Sequence, residues 1–316
     1  MSMIKVARYH AEHKRVWDQF VARAKNGVFI FHRDYMEYHA DRFKDYSLLF
    51  FADEKLVALM PATVTDQTLA SHGGLTFGGI ISDERMKTPL MLEVFDALRA
   101  HLRSSGIKRL IYKAVPHIYH DLPAEEDLYA LFRQRAQLIR RDISSTILLQ
   151  RRPGISKDRK WRIRQGQKSG LDLKQSDDYE EFMAIVAQVL WSRYKLKPVH
   201  TADELRLLAA RFPANIKLFG AYRGPQMLAG VIVYESRNVA HAQYISSTEE
   251  AREMGAGDLL LDYLILEAYA AKRYFDFGIS TEEAGSRLNT GLINNKEGFG
   301  ARSIAHDFYE IQYDTD

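Results

Sequence analysis

Two mainly apolar runs near residue 50, separated by a polar turn, predict a pair of β-strands, and helical spacing follows them. Residues 47–52 and 56–63 flank a polar three-residue turn, which predicts a hairpin. From residue 86 to 103, apolar side chains recur every three or four positions, which predicts an amphipathic helix. A strand over residues 109–113 is predicted to follow. This order of strands and helix is typical of a mixed α/β fold.

The same order of elements occurs again in the second half of the chain. Residues 216–222 and 227–235 predict a hairpin, residues 239–245 a third strand, and residues 274–279 a strand after an amphipathic helix. A duplication of this size predicts two similar domains, each with a mixed, twisted sheet flanked by helices. Pro153 and Gly154 end the preceding pattern, so we place the domains at residues 1–153 and 154–316.

A glycine-containing loop lies between the third strand of the second copy and its helix. The loop reads Arg252-Glu253-Met254-Gly255-Ala256-Gly257. The first turn of a helix has N–H groups without intrahelical partners and carries the positive end of the helix dipole. The loop is therefore a candidate cradle for a phosphate or pyrophosphate, and the alternative is an ordinary tight turn.

Composition narrows the functional classes. The chain has 316 residues, of which 46% are hydrophobic, and no cysteine, which excludes disulfides, thiolate nucleophiles and cysteine-based zinc sites. No metal site is predicted. No apolar run approaches the roughly 20 residues that a membrane-spanning helix needs, and the N-terminus lacks the apolar core of a secretion signal. We therefore expect a cytoplasmic protein.

Basic charge is concentrated in the middle of the chain. Residues 133–168 contain 12 basic and 2 acidic side chains, whereas the net charge of the whole chain is +3. Within this block Ser156 can cap a helix that Gly170 would end, and helical spacing places a row of cations on one face; the row consists of Lys157, Lys160, Arg164 and Lys168. Such a helix can bind the phosphates of RNA, of an anionic lipid or of a nucleotide-linked substrate. The alternative is a solvated face.

Several segments resemble a known family. A strand, an Arg-x-x-Gly-x-Gly loop, a helix, a strand and a further helix ending in Gly-Phe resemble the acyl-CoA binding core of GNAT N-acyltransferases over residues 216–313. Residues 159–171 (Arg-Lys-Trp-Arg-Ile-Arg-Gln-Gly-Gln-Lys-Ser-Gly-Leu), together with Leu288-Asn289 and residues 296–301 (Lys-Glu-Gly-Phe-Gly-Ala), resemble signatures of FemAB-like transferases. Proteins of that family consist of two tandem GNAT-like domains, in agreement with the duplication.

The resemblance implies a donor site in the second domain. Backbone N–H groups of Gly255, Ala256 and Gly257 would hold the donor's phosphates, and Arg252 would add charge. The donor carbonyl would lie beside three consecutive strand residues, where GNAT proteins splay two neighbouring strands; these residues are Tyr244, Ile245 and Ser246.

The resemblance also implies a catalytic base and an acid. Glu235, His241 and Asp276 are candidates for accepting the proton of an acceptor amine, and each could instead be a structural residue of its strand. The GNAT tyrosine that protonates the leaving thiolate corresponds here to Asn294. Lys296 is therefore a candidate for stabilising the oxyanion or a donor phosphate or ribose, with a surface lysine near a helix end as the alternative.

The acceptor is expected in the groove between the two domains, where ligands often bind. Its candidate residues are Gly73, Gly74, Asn289, Arg162, Arg164 and Lys168.

Together these features predict an N-acyltransferase that uses acetyl-CoA or another acyl-CoA to modify an amine. The acceptor would be a small molecule or a lipid-linked precursor of the cell envelope or of a polysaccharide, with transient contact to the membrane surface. One alternative is a FemAB-type enzyme that transfers an amino acid from aminoacyl-tRNA to a peptidoglycan precursor, with tRNA as a partner. Another is an inert module that binds anions through its basic helix.

Overall fold

The computed structural model describes residues 4–313. Its strands, in chain order, are β1 (Ile4–Arg8), β2 (Leu48–Ala52), β3 (Lys55–Met60), β4 (Thr63–Thr65), β5 (Thr68–Ala70), β6 (Ile81–Ser82), β7 (Arg109–Lys113), β8 (Gln137–Leu148), β9 (Asp172–Ser176), β10 (Ile216–Arg223), β11 (Gln226–Glu235), β12 (Val239–Ser247), β13 (Tyr274–Ile279), β14 (Thr281–Glu282), β15 (Arg287–Leu288) and β16 (Arg302–Gln312). Its α-helices are α1 (Lys14–Arg23), α2 (Arg33–Met36), α3 (Thr88–Ser104), α4 (Glu126–Arg133), α5 (Lys157–Lys168), α6 (Tyr179–Tyr194), α7 (Ala202–Arg211), α8 (Glu249–Met254), α9 (Ala256–Tyr263) and α10 (Thr290–Gly298).

The chain divides into two units. Unit 1 comprises residues 1–142, 283–287 and 305–316, and unit 2 comprises residues 143–282 and 288–304. The division falls inside β8. The domain boundary predicted from the sequence lies later, after Pro153, and follows the short 3₁₀ turn at the end of the strand. The C-terminal strand β16 also contributes most of its length to unit 1.

Unit 1 contains an antiparallel sheet with the strand order β1-β2-β3-β6 and a second group with the order β4-β5-β7-β16. Helix α3 covers a core that includes Leu48, Phe50 and Tyr112. The helical spacing of its apolar residues accounts for this packing, since Val94 and Leu98 lie on the buried face. The predicted hairpin and helix of the first half are confirmed.

Unit 2 contains the strand order β8-β13-β12-β11-β10-β9, in which β12 and β13 are parallel and the other described pairs are antiparallel. The core under α9 contains residues of five strands and of the helix, including Val231, Ala242, Leu260 and Phe275. The mixed α/β architecture with helices against twisted mixed sheets agrees with the predicted fold class.

The basic helix α5 begins and ends as predicted. The Ser156 hydroxyl accepts a hydrogen bond from the Arg159 N–H at 3.2 Å, and Gly170 adopts a positive φ of 62° after the helix. Ile163 and Gly166 form its buried face, which packs on α9. A Cβ added to Gly166 would lie 2.7 Å from the Leu259 Cβ and 2.8 Å from the Gly255 carbonyl oxygen, so this glycine permits the close approach of the two helices.

Within residues 4–313, no helix is long and apolar enough to span a membrane.

Gly166→Ala should destabilise unit 2 because its new methyl group overlaps α9. We expect the free energy of unfolding to fall by about 1–3 kcal/mol in urea titrations, the usual cost of overpacking. Gly154→Ala is the matched control, since an added Cβ there meets nothing within 4 Å. Equal stability of Gly166→Ala and the control would contradict this account of the α5–α9 contact.

Candidate functional site

Strands β12 and β13 part in the middle of unit 2. They pair over three positions, from Val239 with Tyr274 to His241 with Asp276, and the described pairing stops there. The pairing of β12 with β11 shifts register one residue further along, after Ala242, and that of β13 with β8 shifts between Asp276 and Ile279. Bulges of this kind bend strands and end pairing. The backbone beyond His241 is thereby released from the β12–β13 ladder.

Lys296 donates hydrogen bonds to backbone carbonyl groups of β13 near the place where the strands part. Its ammonium group donates to the carbonyl oxygens of Gly278 and Ile279 at 2.9 and 2.8 Å. Strand carbonyls that lack a ladder partner need another donor when they are buried. An ammonium has three hydrogens to donate, so one remains for another partner. Burial lowers the pKa of Lys296 to about 8, against the opposing charge of Asp276.

A cavity of about 460 Å³ lies beside the parted strands. Its walls come from β12, β13 and the helices of unit 2, and the apolar part includes Val189, Ile245, Leu261, Phe277, Leu292 and Phe299. Six residues predicted from the sequence contribute to the lining: Ile245, Ser246, Arg252, Gly257, Asn289 and Lys296. The Ser246 hydroxyl is buried, and it has no hydrogen-bond partner among the described residues. This combination fits a long ligand with an apolar arm and polar groups.

The glycine loop has a different local structure from the predicted one. Strand β12 is followed by the short helix α8, and Gly255 then turns the chain into α9 with a φ of 73°. A Cβ at Gly255 would lie 2.2 Å from the Arg162 carbonyl oxygen, so a side chain there would force α5 away. Ala256 is buried in the core. Gly257 lines the cavity, where an added Cβ would lie 2.7 Å from the Ser247 hydroxyl oxygen. Gly257 therefore exposes the first turn of α9 to the cavity.

Arginine side chains surround one end of this site. A second cavity of about 330 Å³ shares seven lining residues with the first, and its lining includes Arg159, Arg162, Arg193 and Arg252. Arg159 is paired with Asp258, and Arg162 with Asp158 at 3.3 Å. Arg193 and Arg252 make no side-chain hydrogen bond or ion pair with the described part of the chain, so two cations remain for an anionic ligand.

A buried carboxylate orients a histidine where the strands part. Asp276 is fully buried, and its Oδ1 accepts hydrogen bonds from the hydroxyls of Ser144 and Thr146 at 2.5 and 2.7 Å. Its Oδ2 lies 2.7 Å from the His241 Nδ1. Because a carboxylate accepts, Nδ1 carries the proton and Nε2 of the neutral ring has the free lone pair. The His241 side chain is 17% exposed, which gives it the arrangement of a general base.

Gly278 allows the histidine ring to lie in this place. Its φ is 77°, and a Cβ added to it would lie 3.2 Å from the His241 Cε1. Both the backbone conformation and the close contact favour glycine. The same residue offers its carbonyl oxygen to Lys296, so the histidine and the lysine are positioned by one bulged segment of β13.

Two predicted catalytic residues have other contacts. The Tyr244 hydroxyl lies 2.8 Å from the His200 Nδ1 and accepts from the His200 N–H at 3.3 Å. Glu235 lies 2.9 Å from Lys217 and 2.8 Å from Lys272; burial raises its pKa, but these hydrogen bonds outweigh burial and lower it. Glu235 pairs with Ala240, five residues or about 17 Å along the strand from Ile245. The structure therefore does not bring Glu235 to the cavity.

The predicted acceptor residues are distributed over the two units. Gly73 and Gly74 belong to unit 1, where the Gly73 N–H donates to the Thr63 hydroxyl at 2.9 Å and a Cβ at Gly74 would lie 2.3 Å from the His39 Nε2. Asn289 caps α10 through the Leu292 N–H at 2.9 Å. Their role in acceptor binding stays a prediction.

The basic face predicted for α5 is exposed in the structure. Its four cations point to solvent: Lys157, Lys160, Arg164 and Lys168. The arginines on the other sides of the helix are partly neutralised, and Arg152 also has an acidic neighbour, since its guanidinium lies 3.6 Å from Asp262. The net charge available to a partner is therefore smaller than the sequence count.

Sequence reasoning missed several residues of the cavity. Arg193 and Val189 come from α6, and Asn295 from α10. No motif in the sequence marks these residues, because packing in three dimensions brings them to the site. Arg159 lies inside the basic segment, but its pairing with Asp258, 99 residues away, has no signal in the sequence. Within residues 4–313, no group of three His, Asp or Glu side chains could hold a metal ion.

Comparisons with known proteins agree with this architecture. Residues 155–284 match the family model described as an acetyltransferase (GNAT) domain. A search of curated protein sequences found no match to the chain. Residues 155–284 therefore form a GNAT domain, and the fold of the chain is similar to that of FemX, in agreement with the resemblance.

Three solved structures are similar over most of the chain. FemX has a TM-score of 0.68 at 9% identity, with 98% of this chain and 97% of that chain covered. The C-terminal domain of an Agrobacterium fabrum protein described as a lysylphosphatidylglycerol synthetase has a TM-score of 0.63 at 12% identity, with 96% and 92% covered. L-PGS from Bacillus licheniformis has a TM-score of 0.54 at 13% identity, with 87% and 90% covered. At these identities the likeness concerns the fold.

Lys296 should make stability depend on pH in a defined direction. Its folded pKa of about 8 lies below the ordinary 10.5, so the unfolded chain binds more protons between these values and stability rises with pH. Relative to Lys296→Met, the wild type should gain roughly 2 kcal/mol of unfolding free energy between pH 7 and 9.5. Urea titrations at the two pH values measure this difference, and the exposed Lys160→Met provides the control. A difference that does not change with pH would contradict the burial of a charged Lys296.

Proposed function

We propose that unit 2 is an N-acyltransferase that transfers an acyl group from acyl-CoA, with acetyl-CoA as the first candidate, to an amine. The observation that carries this proposal is the parting of β12 and β13 beside a cavity with unpaired arginines at one end. The GNAT domain match over residues 155–284 supports the class of reaction.

Acyl-CoA fits the residues of the site. The first turn of α9 at Gly257, with Arg252 and Arg193, offers N–H groups and positive charge to a pyrophosphate. The apolar walls suit the pantetheine arm, and the unpartnered Ser246 hydroxyl can bond one of its amides. The free backbone of β12 beyond His241 would orient the thioester carbonyl.

The residues where the strands part can supply the proton transfers. His241 Nε2 accepts a proton from the acceptor amine as the amine nitrogen bonds to the carbonyl carbon. The carbon–sulfur bond then breaks and the thiolate leaves. Lys296, whose pKa is lowered to about 8 by burial, is matched to return a proton to the thiolate, the task for which Asn294 is unsuited. Asp276 holds the histidine in the required tautomer.

Aminoacyl-tRNA is a second candidate donor. The exposed cations on α5 favour it, because tRNA needs an extended basic surface whereas CoA needs the phosphate cradle alone. FemX and L-PGS share the fold, so the acceptor amine would be part of a small molecule or of a lipid-linked envelope precursor. We also propose a cytoplasmic location, as expected from the sequence. Phosphate-ligand binding without any transfer would instead indicate an inert module.

Arg252→Ala should weaken the binding of acetyl-CoA because it removes an unpaired cation from the phosphate end. In calorimetric titrations we expect micromolar binding to the wild type, near −8 kcal/mol, and at least a tenfold loss in the variant, about 1.4 kcal/mol. Arg206→Ala is the control, since Arg206 is paired with Asp203 outside the cavity. No binding to the wild type, with binding of tRNA, would move the proposal to the second donor.

His241→Gln should lower kcat/KM for transfer by about 10²–10⁴-fold, the usual contribution of a general base. The assay measures thiol release from acetyl-CoA with an amine acceptor found by screening. If Glu235→Gln lowers kcat/KM by this factor and His241→Gln does not, the base is Glu235.

A further inference from the structure

An exposed apolar and basic segment follows the part of α6 that lines the cavity. It runs from residue 191 to 199, with the sequence Trp-Ser-Arg-Tyr-Lys-Leu-Lys-Pro-Val, and we call it the 191–199 segment. Trp191, Leu196 and Val199 are 57%, 60% and 76% exposed. Three large apolar side chains this exposed within nine residues indicate an interaction surface.

The segment is held in place at both ends. The N–H of Lys195, in the left-handed conformation, donates to the carbonyl oxygens of Leu190 and Trp191 and ends the helix. The Lys195 ammonium lies 5.5 Å from the centroid of the Trp191 ring. The other end is fixed by the hydrogen bonds between His200 and Tyr244. The apolar side chains are thus presented on a defined turn that returns to the sheet.

The charge of the segment has one sign. Arg193, Lys195 and Lys197 are exposed, and no acidic residue occurs between Trp191 and Val199. We propose that the 191–199 segment docks unit 2 onto an anionic lipid bilayer. Tryptophan and aliphatic side chains insert at the boundary of headgroups and acyl chains, while lysine and arginine pair with anionic headgroups. Docking itself does not require acyl transfer, and the delivery of a lipid-linked amine to the cavity rests on the proposed function.

The chemistry of the side chains favours a bilayer over the other anionic partner, a nucleic acid. Nucleic acids are bound by stacking bases on aromatic rings and by pairing cations with phosphates. Leu196 and Val199, the two most exposed of the three, have no such partner in RNA, whereas both gain from burial among acyl chains. Arg193 also lines the cavity, so docking would bring the cavity close to the lipid surface. An amine carried on a lipid could then reach it without leaving the bilayer.

Co-sedimentation with vesicles tests the proposal directly. The wild type should bind vesicles of phosphatidylcholine with 30% phosphatidylglycerol, and bind pure phosphatidylcholine at least tenfold more weakly. The triple variant Trp191→Ser, Leu196→Ser, Val199→Ser and the double variant Lys195→Glu, Lys197→Glu should each lose at least tenfold in affinity. Circular dichroism and thermal melting confirm that they remain folded.

A matched apolar control comes from unit 1. Phe132 and Leu138 are 75% and 47% exposed, and the variant Phe132→Ser, Leu138→Ser should bind vesicles like the wild type. In Trp161→Phe, where Trp191 is the remaining exposed tryptophan, brominated lipids should quench the fluorescence. Equal binding of the triple variant and the wild type would overturn the proposal. So would a wild-type dimer that the triple variant does not form, or a preference of the segment for RNA over vesicles.

Discussion

The parting of β12 from β13 is the constraint on which the site of unit 2 depends. Opening a sheet leaves backbone groups without partners, which is costly inside a protein. Here the ammonium of Lys296 bonds two of the released carbonyls. The buried charge that results is tolerated because those carbonyls and the nearby Asp276 surround it. The lysine is therefore part of what keeps the strands apart, in addition to any role in chemistry.

The arginines beside the cavity of unit 2 fall into two groups, those with an aspartate partner and those without one. Arg159 pairs with Asp258 and so links α5 to α9, whereas Arg162 pairs with Asp158 within α5. Arg193 and Arg252 have no such partners among the described residues and reach the cavity from different elements. Burial raises the pKa of Asp258, against the charges of Arg159 and Arg162, and the ion pair with Arg159 offsets the negative charge of this carboxylate at the phosphate end. An anion that enters the site therefore meets the guanidinium groups of Arg193 and Arg252, which no carboxylate of the described residues neutralises.

The sequence was sufficient for elements whose signals are local. The cap at Ser156, the stop at Gly170 and the amphipathic spacing of α3 each follow from neighbouring residues, and the FemAB-like segments around residues 159–171 and 296–301 pointed to the right fold. The sequence could not show that α8 separates β12 from Gly255, because six residues are too few for a clear helical period. It also could not join His241 to Asp276, 35 residues apart, since the register of two parallel strands decides that contact. The order of elements predicted Glu235 as a candidate base, but Glu235 lies far along its strand from the cavity.

The hydrogen bonds between Tyr244 and His200 have a mechanical consequence. Tyr244 immediately precedes Ile245 and Ser246 in β12, and His200 ends the exposed turn between α6 and α7, where it contacts the sheet through Tyr244. A displacement of that turn therefore pulls on the strand that forms one wall of the cavity, through a single pair of side chains. The exposed turn of unit 2 and the strand that lines its cavity are in this way connected by two contacting rings.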